Sequence, residues 1–422
     1  MSLFKKVHSL IVKLFSTGFF HIFGGSVVNK AVHFLSSVVL VRILTKHEYG
    51  VFTYAWNIYS FIILLNGMGM EHAVLQCCSE NSRDEKLVSS ISGYGTRFGL
   101  IFDAFVTLVI LFVGLFIPLN ISGANDILLL LCILPIVVFL SNTSMIVLRV
   151  QKRNKDYSVL SIMSAILMFA FSVAGAYLFR EKGLIAGHYV AGLATFLCGL
   201  LFFKVNLFSK HDDLSVKHRK TMQSIAFVSM CNNALAQLMY LIDVFVLGIV
   251  LSDEMILASY KAATIIPSAL TFVPVSVVTY LYPYFAENMQ NKKLCLKNAK
   301  KVYLGMGLMN AAISITLFIA APLIIDLLYG NSYADAVPIF RILSINYFFS
   351  GTFRVMSGNL LITQRKIKFN FWVGLISGCV NIIADVFFIQ WWGSMGAALA
   401  TVLVVLISGA MSTIYLFYQF KK

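Results

Sequence analysis

The stretch GLIFDAFVTLVILFVGLFI, residues 99–117, decides the fold class. It carries a single charged side chain, Asp103. Wound as a helix at about 1.5 Å per residue, it covers roughly the 30 Å hydrocarbon thickness of a bilayer. Comparable runs recur along the whole chain. Our reading places twelve spans near residues 19–41, 51–77, 89–117, 126–148, 157–179, 184–204, 223–251, 256–283, 301–328, 337–362, 369–391 and 395–418. Of the 422 residues, 59% are hydrophobic and 12% charged, against about 25% charged in soluble domains, and the mean hydropathy is +0.85. Only helices and closed barrels satisfy their own backbone in lipid. The runs are long and apolar on all sides, which selects helices.

Charge sets the expected orientation. The net charge of +15 would suggest nucleic acid in a soluble protein. In a membrane protein it reads first as the positive-inside bias. With the N-terminus inside, 24 of the 33 Lys and Arg residues fall on inner ends and loops, among them Lys5, Lys6, Lys13, Lys210 and Lys422. The outer side holds Arg42, Lys46, Arg180 and Lys182. Both termini are therefore expected in the cytoplasm. The lysines of residues 1–16 precede an apolar stretch too long for a signal core, so this segment reads as the lead of an uncleaved span. The seven cysteines have neither metal-type spacing nor a disulfide framework. Neither a metal site nor a cofactor is expected.

The two halves echo each other. Shifted by 213 residues without gaps, Gln151-Lys152-Arg153 falls on Gln364-Arg365-Lys366, Lys155 on Lys368 and Gly183 on Gly396. A weaker echo relates Leu44–Gly50 to Leu251–Ala258 with one gap. Six spans is an even number, so the copies are parallel repeats, which pack around a central cavity. The expected organisation is an N-terminal six-helix half, 1–206, a cytoplasmic linker, 207–221, and a C-terminal six-helix half, 222–422.

Five cations stay inside the spans: Lys30, Arg97, Lys261, Arg341 and Arg354. A cation at the bilayer centre costs about 2.5–3.5 kcal/mol on insertion scales, so it normally faces a wet cavity or a partner. Lys30 lies about 16 Å from either end of span one, too deep to reach an interface. Arg97 and Arg354 lie roughly 12 Å from the inner end. Lys261 and Arg341 sit near the outer end, where snorkelling explains them. Arg341 and Arg354, about 220° apart around a straight helix, are expected at the outer mouth and facing inward respectively. His33 shares the face of Lys30. Together these six define a candidate cationic cavity for diphosphate and sugar, with internal pairing (Asp103 with Lys30, for example) as the structural explanation. The membrane acids Glu71, Asp103, Asp243 and Asp385 are candidates for coupling to H+ or Na+. Asp243 follows the polar run Asn232, Asn233 and Gln237. Helix-to-helix hydrogen bonding explains the same residues without coupling.

The segment Val41-Arg-Ile-Leu-Thr-Lys-His-Glu-Tyr-Gly50 resembles the first-loop signature of polysaccharide exporters in the multidrug/oligosaccharidyl-lipid/polysaccharide (MOP) superfamily. Gln364-Arg365-Lys366 followed by Gly396-Ala-Ala-Leu-Ala400 resembles the second signature. The length is similar to that of the Wzx-type O-antigen flippases. The peptidoglycan-precursor flippases have two further spans. The resemblance implies a MATE-like all-α fold of about twelve transmembrane helices in two six-helix parallel repeats around a central cavity. It also implies export of an undecaprenyl-diphosphate-linked oligosaccharide, an O-antigen or capsule unit, by alternating access in the bacterial inner membrane. Lipid, the coupling ion and other polysaccharide assembly proteins are the implied partners. A drug or cation antiporter of the same superfamily is the first alternative, disfavoured because deep cations match or outnumber deep acids. A membrane glycan polymerase, ligase or glycosyltransferase is the second. It is disfavoured by outer loops of a few residues and by the lack of a nucleophile–base pair, metal cluster or phosphate loop. A passive scaffold is the third, disfavoured by the charged interior.

Overall fold

In the computed structural model, residues 19–81, 83–208 and 214–421 are described. The lead segment 1–16 with Lys5, Lys6 and Lys13, the middle of the 207–221 link with Lys210, and Lys422 lie outside them. All regular structure among the described residues is helical. The helices are α1 (Phe19–Ile43), α2 (Lys46–Ile62), α3 (Met70–Glu80), α4 (Glu85–Phe116), α5 (Ala124–Leu130), α6 (Leu134–Val150), α7 (Asn154–Leu201), α8 (Val216–Val250), α9 (Glu254–Leu270), α10 (Phe272–Glu287), α11 (Lys292–Tyr329), α12 (Ala336–Phe349), α13 (Val355–Thr363) and α14 (Ile367–Lys421). The twelve expected spans map onto them. α7 and α14 are each two spans joined at a tight tip, and spans two, four, eight and ten are interrupted.

The packing of α4 shows why this chain needs a bilayer. Ile101, Phe105, Leu108, Phe112 and Leu115 form an exposed apolar stripe at helical spacing. The opposite stripe is buried and mostly small or polar: Ser92, Thr96, Gly99, Asp103 and Gly114, with Val106 and Ile110 between them. A soluble helix does the reverse. In lipid, where tails are as apolar as leucine, small and polar residues hold helices together.

The interruptions have local causes. Span two breaks at Asn66–Gly69, where Gly67, Met68 and Gly69 all have positive φ. The dipeptide Asn66-Gly67 is turn chemistry inside an apolar run, and Gly69 supplies a further left-handed position. Span eight breaks at Thr271, between Pro267 and Pro274. Span four bends by 43° between α5 and α6, where Pro135 opens α6. Span ten carries one π-helical turn, Ser350–Arg354.

The 213-residue echo holds in the backbone. Lys152 and Arg365 adopt the same left-handed conformation, φ +59° and +56°. Behind them Arg153 N donates to Leu148 O and Lys366 N to Leu361 O, both at 2.9 Å. At the opposite tips Arg180 (φ 55°, ψ −140°) matches Gly393 (φ 57°, ψ −135°). The hairpin arms then close tightly. A Cβ on Gly183 would meet Gly175 O at 2.0 Å, and one on Gly396 would meet Phe388 O at 1.9 Å. Only glycine permits that approach. Spans 5–6 and 11–12 are therefore two copies of one helical hairpin.

The chain forms two compact units. The N-terminal unit is residues 1–44 with 58–234, and the C-terminal unit is 45–57 with 235–422. In the N-terminal unit α1 packs along α7, and α3, α4 and α6 pack together. One of its cores gathers Met70, Val74, Cys77, Ile91, Leu214 and Met222. In the C-terminal unit α12 is surrounded by α9, α11 and α14, and α13 packs on α10 and α14. Its core gathers Val278, Phe285, Met306, Met356, Leu361 and Phe420. Both units borrow across chain order. The first part of α8 belongs to the N-terminal unit, and most of α2 to the C-terminal one.

Candidate functional site

Among the described residues of the C-terminal unit, one buried polar cluster that holds two acids is built from three helices. Asp243 comes from α8, Tyr260 from α9, and Asn381, Asp385 and Thr401 from the two arms of α14. The 381/385 spacing puts the amide and the carboxylate on one helix face. The tip at Gly393 returns the second arm, so that Thr401 faces the same point. Asp243 Oδ2 accepts hydrogen bonds from Tyr260 Oη and Thr401 Oγ1, each at 2.7 Å. Asn381 Nδ2 bridges the two acids, donating to Asp243 Oδ1 at 3.3 Å and Asp385 Oδ2 at 3.0 Å. Thr401 Oγ1 also lies 3.0 Å from Ala397 O.

Burial makes this arrangement chemically demanding. Asp385 is 0% exposed and Asp243 8%. Asp385 Oδ1 is buried without a hydrogen-bond partner among the described residues. The two carboxylates are close enough for their charges to act on one another. Two buried like charges at that range need a proton or a cation between them. The carboxylate oxygens, with the Tyr260 and Thr401 hydroxyls beside them, form a hard donor set, which suits an alkali cation or a proton better than a soft metal. Lys261, next to Tyr260, is half-buried and within electrostatic reach of Asp243.

In the N-terminal unit Asp103 has a different task. Its Oδ1 accepts the Gly67 backbone N–H at 2.6 Å, and its Oδ2 accepts Asn66 Nδ2 at 3.2 Å. It caps the amide that the broken span leaves without a main-chain partner. A carboxylate accepting from N–H groups makes a strong, charge-assisted bond. Asp103 is thus committed to the break rather than to Lys30. Glu71, in the first turn of α3, lies within reach of Asn142, and its Oε1 is buried without a partner among the described residues. Lys30 and His33 are both exposed on α1, beside Asn29, which donates to Ser161 Oγ at 2.6 Å. Arg97 is half-buried on α4.

Arg341 donates from Nε to Phe318 O at 3.3 Å and lies 5.3 Å over the Phe318 ring. Arg354 closes the π-turn and is half-buried. Of the ten candidates, Asp243, Asp385 and Lys261 come together within the C-terminal unit, and Asp103 and Glu71 flank the break in the N-terminal unit. Sequence reasoning missed Tyr260, Asn381 and Thr401. The signal was present in Asn381–Asp385, an amide and an acid at i,i+4 inside an apolar span.

Solved structures share this architecture. An inward-facing multidrug resistance transporter of the MATE family, in the MOP superfamily, superposes with a TM-score of 0.79 at 14% identity, over 93% of this chain and 94% of that one. The lipid II flippase MurJ, in an inward closed conformation, gives 0.70 at 16% identity, over 95% and 87%. A MOP superfamily transporter from Pyrococcus furiosus, described as having a binding pocket of reverse polarity, gives 0.62 at 12% identity, over 96% of each chain. At these identities the likeness is one of fold. No curated protein sequence matches the chain. The class is a multi-pass, all-helical membrane protein with the MATE-like fold of MOP transporters. Within it, the family model described as polysaccharide biosynthesis protein matches residues 39–338, and the chain belongs to that family.

Proposed function

We propose that this protein is a flippase that carries an undecaprenyl-diphosphate-linked oligosaccharide, an O-antigen or capsule unit, from the cytoplasmic to the periplasmic leaflet of a bacterial inner membrane, with both termini in the cytoplasm. Membership of the polysaccharide biosynthesis family supports a glycan cargo. The fold shared with MurJ, a protein named for flipping lipid II, supports movement of a lipid-linked one. The Asp243–Asp385 pair, with its unpartnered buried oxygen, is the observation that favours an ion-driven carrier over a passive scaffold.

In this reading Na+ or H+ enters between Asp243 and Asp385, the Tyr260 and Thr401 hydroxyls stand beside the acids, and Asn381 holds the two acids together through its amide nitrogen. Lys30, Arg97 and Arg354 hold the diphosphate, which attracts guanidinium and ammonium strongly at low dielectric. His33 supports Lys30, and Arg341 and Lys261 act towards the outer mouth. Glu71 is a secondary coupling acid, and Asp103 acts first as the clamp of the span-two break. The halves 1–206 and 222–422 alternate access to the two leaflets.

The test uses a strain deleted for the gene and complemented with Lys30→Ala or Arg354→Ala at normal membrane levels. Loss of surface glycan with lipid-linked units accumulating inside is expected. Normal glycan from both variants would remove these residues from the path. A null strain with normal glycan would move the antiporter reading, which the MATE-like fold also accommodates, to first place.

A further inference from the structure

The segment 45–57 opens span two, yet it groups with the C-terminal unit, while residues from Ile58 onward group with the N-terminal unit. Its attachment is readable residue by residue. Lys46, Gly50, Tyr54 and Asn57 follow one another at helical spacing and share one face of α2. Lys46 Nζ donates to Asp335 Oδ1 at 2.7 Å and Ser332 O at 3.0 Å, and lies 5.3 Å over the Tyr333 ring. Ser259 holds the other oxygen of Asp335 at 2.7 Å. His47 Nδ1 is 2.8 Å from Glu254 Oε1. Gly50 lies against the α9 start so closely that a Cβ would meet Glu254 O at 2.0 Å. Asn57 Nδ2 donates to Leu241 O at 3.1 Å.

These contacts are built to part. Lys46 and Asp335 are 12% and 51% exposed, and His47 and Glu254 59% and 27%, so each pair opens to solvent on one side, where screening weakens it. Beneath them Tyr49 lies within electrostatic reach of Tyr329 and Tyr333. The hydroxyls of Tyr329 and Tyr333 are buried and unpartnered among the described residues.

A few residues downstream, the same span carries its break. Three successive positive-φ residues, one of them the non-glycine Met68, interrupt the helix at Gly67–Gly69. A side chain from another helix, Asp103, holds the freed Gly67 amide.

We propose that residues 45–57 form a hinged strap, latched to the C-terminal unit by Lys46–Asp335 and His47–Glu254, released when those pairs part, and turning on the broken segment Asn66–Gly69. The first-loop signature thereby acquires a physical task. Lys46 and His47 are the latch, and Gly50 is the seat.

Thr53 is 6% exposed on the latched face and serves as the reporter. In a cysteine-free, full-length background reconstituted in nanodiscs, Thr53→Cys is reacted with a polar maleimide, a readout that needs no transport substrate. Lys46→Ala and Asp335→Ala are each expected to speed labelling about three- to five-fold, Gly50→Ala to speed it further, and the double swap Lys46→Asp/Asp335→Lys to return it toward the starting rate. Unchanged labelling in all three single variants would make the segment a fixed part of its unit and overturn the strap. A rise that the swap does not reverse would overturn Lys46–Asp335 as its latch. Either failure leaves the flippase reading standing, since that is tested by glycan export.

Discussion

At the residue scale, Asp385 is the most telling side chain. It is fully buried, one oxygen is held by Asn381, and the other has no hydrogen-bond partner among the described residues. A bound cation stabilises the folded state by RT ln(1 + [L]/Kd), about 1.4 kcal/mol at ten times Kd. Sodium chloride, against choline chloride at equal ionic strength, is expected to raise the melting temperature of the purified protein. Asp385→Asn and Asp243→Asn should each abolish the increment. A rise on lowering pH in place of the sodium response would assign the site to a proton. Tyr260→Phe removes one donor from Asp243 and should weaken the response while leaving it detectable. Asp243 was visible in the sequence as an acid in an apolar span. Tyr260 and Thr401 were not, because nothing in an apolar helix marks which of its hydroxyls meets an acid on another.

At the scale of the element, caps and tips carry the local stability. Thr45 and Glu48 form a reciprocal capping box: Glu48 N donates to Thr45 Oγ1 at 3.2 Å, and Thr45 N donates to Glu48 Oε2 at 2.8 Å. Thr45→Ala should cost about 1 kcal/mol, read as a lower melting temperature. Asp253 plays the same part at the start of α9, accepting from Met255 N and Ile256 N. That shared role underlies the weaker internal echo. At the hairpin tips, Gly393→Ala forces an L-residue into φ 57°, ψ −135° and should cost about 1–3 kcal/mol. Arg180 already carries this strain, and its guanidinium offsets it by donating to Ile43 O at 2.8 Å. Span positions were legible because apolar length is a local property. The span-eight bend was legible from Pro267 and Pro274. The span-two break was legible only as Asn66-Gly67-Met68-Gly69, a pattern that a hydropathy reading passes over.

At the scale of the whole molecule, the two units do not follow chain order. Residues 45–57 pack with the C-terminal unit and the start of α8 with the N-terminal one. A fragment ending at residue 221 therefore lacks part of its own core, including Met222 and Ala226. Such a fragment expressed alone is expected to be degraded. The two fragments co-expressed should restore a protease-resistant protein, as judged by co-purification.

The sequence by itself determined the membrane solvent, the spans, the parallel internal repeat and the family signature. Each follows from short-range quantities: apolar length, charge placement and turn residues that recur at a fixed offset. Only the tertiary structure decided that Asn381 and Thr401, 138 and 158 residues from Asp243, close on it. Only the structure decided, too, that Asp103 holds a broken helix rather than a lysine, and that the first-loop signature is an attachment surface. Those outcomes depend on the rotation and axial register of whole helices. Close packing of small residues between distant segments sets both, and no window of sequence contains that information.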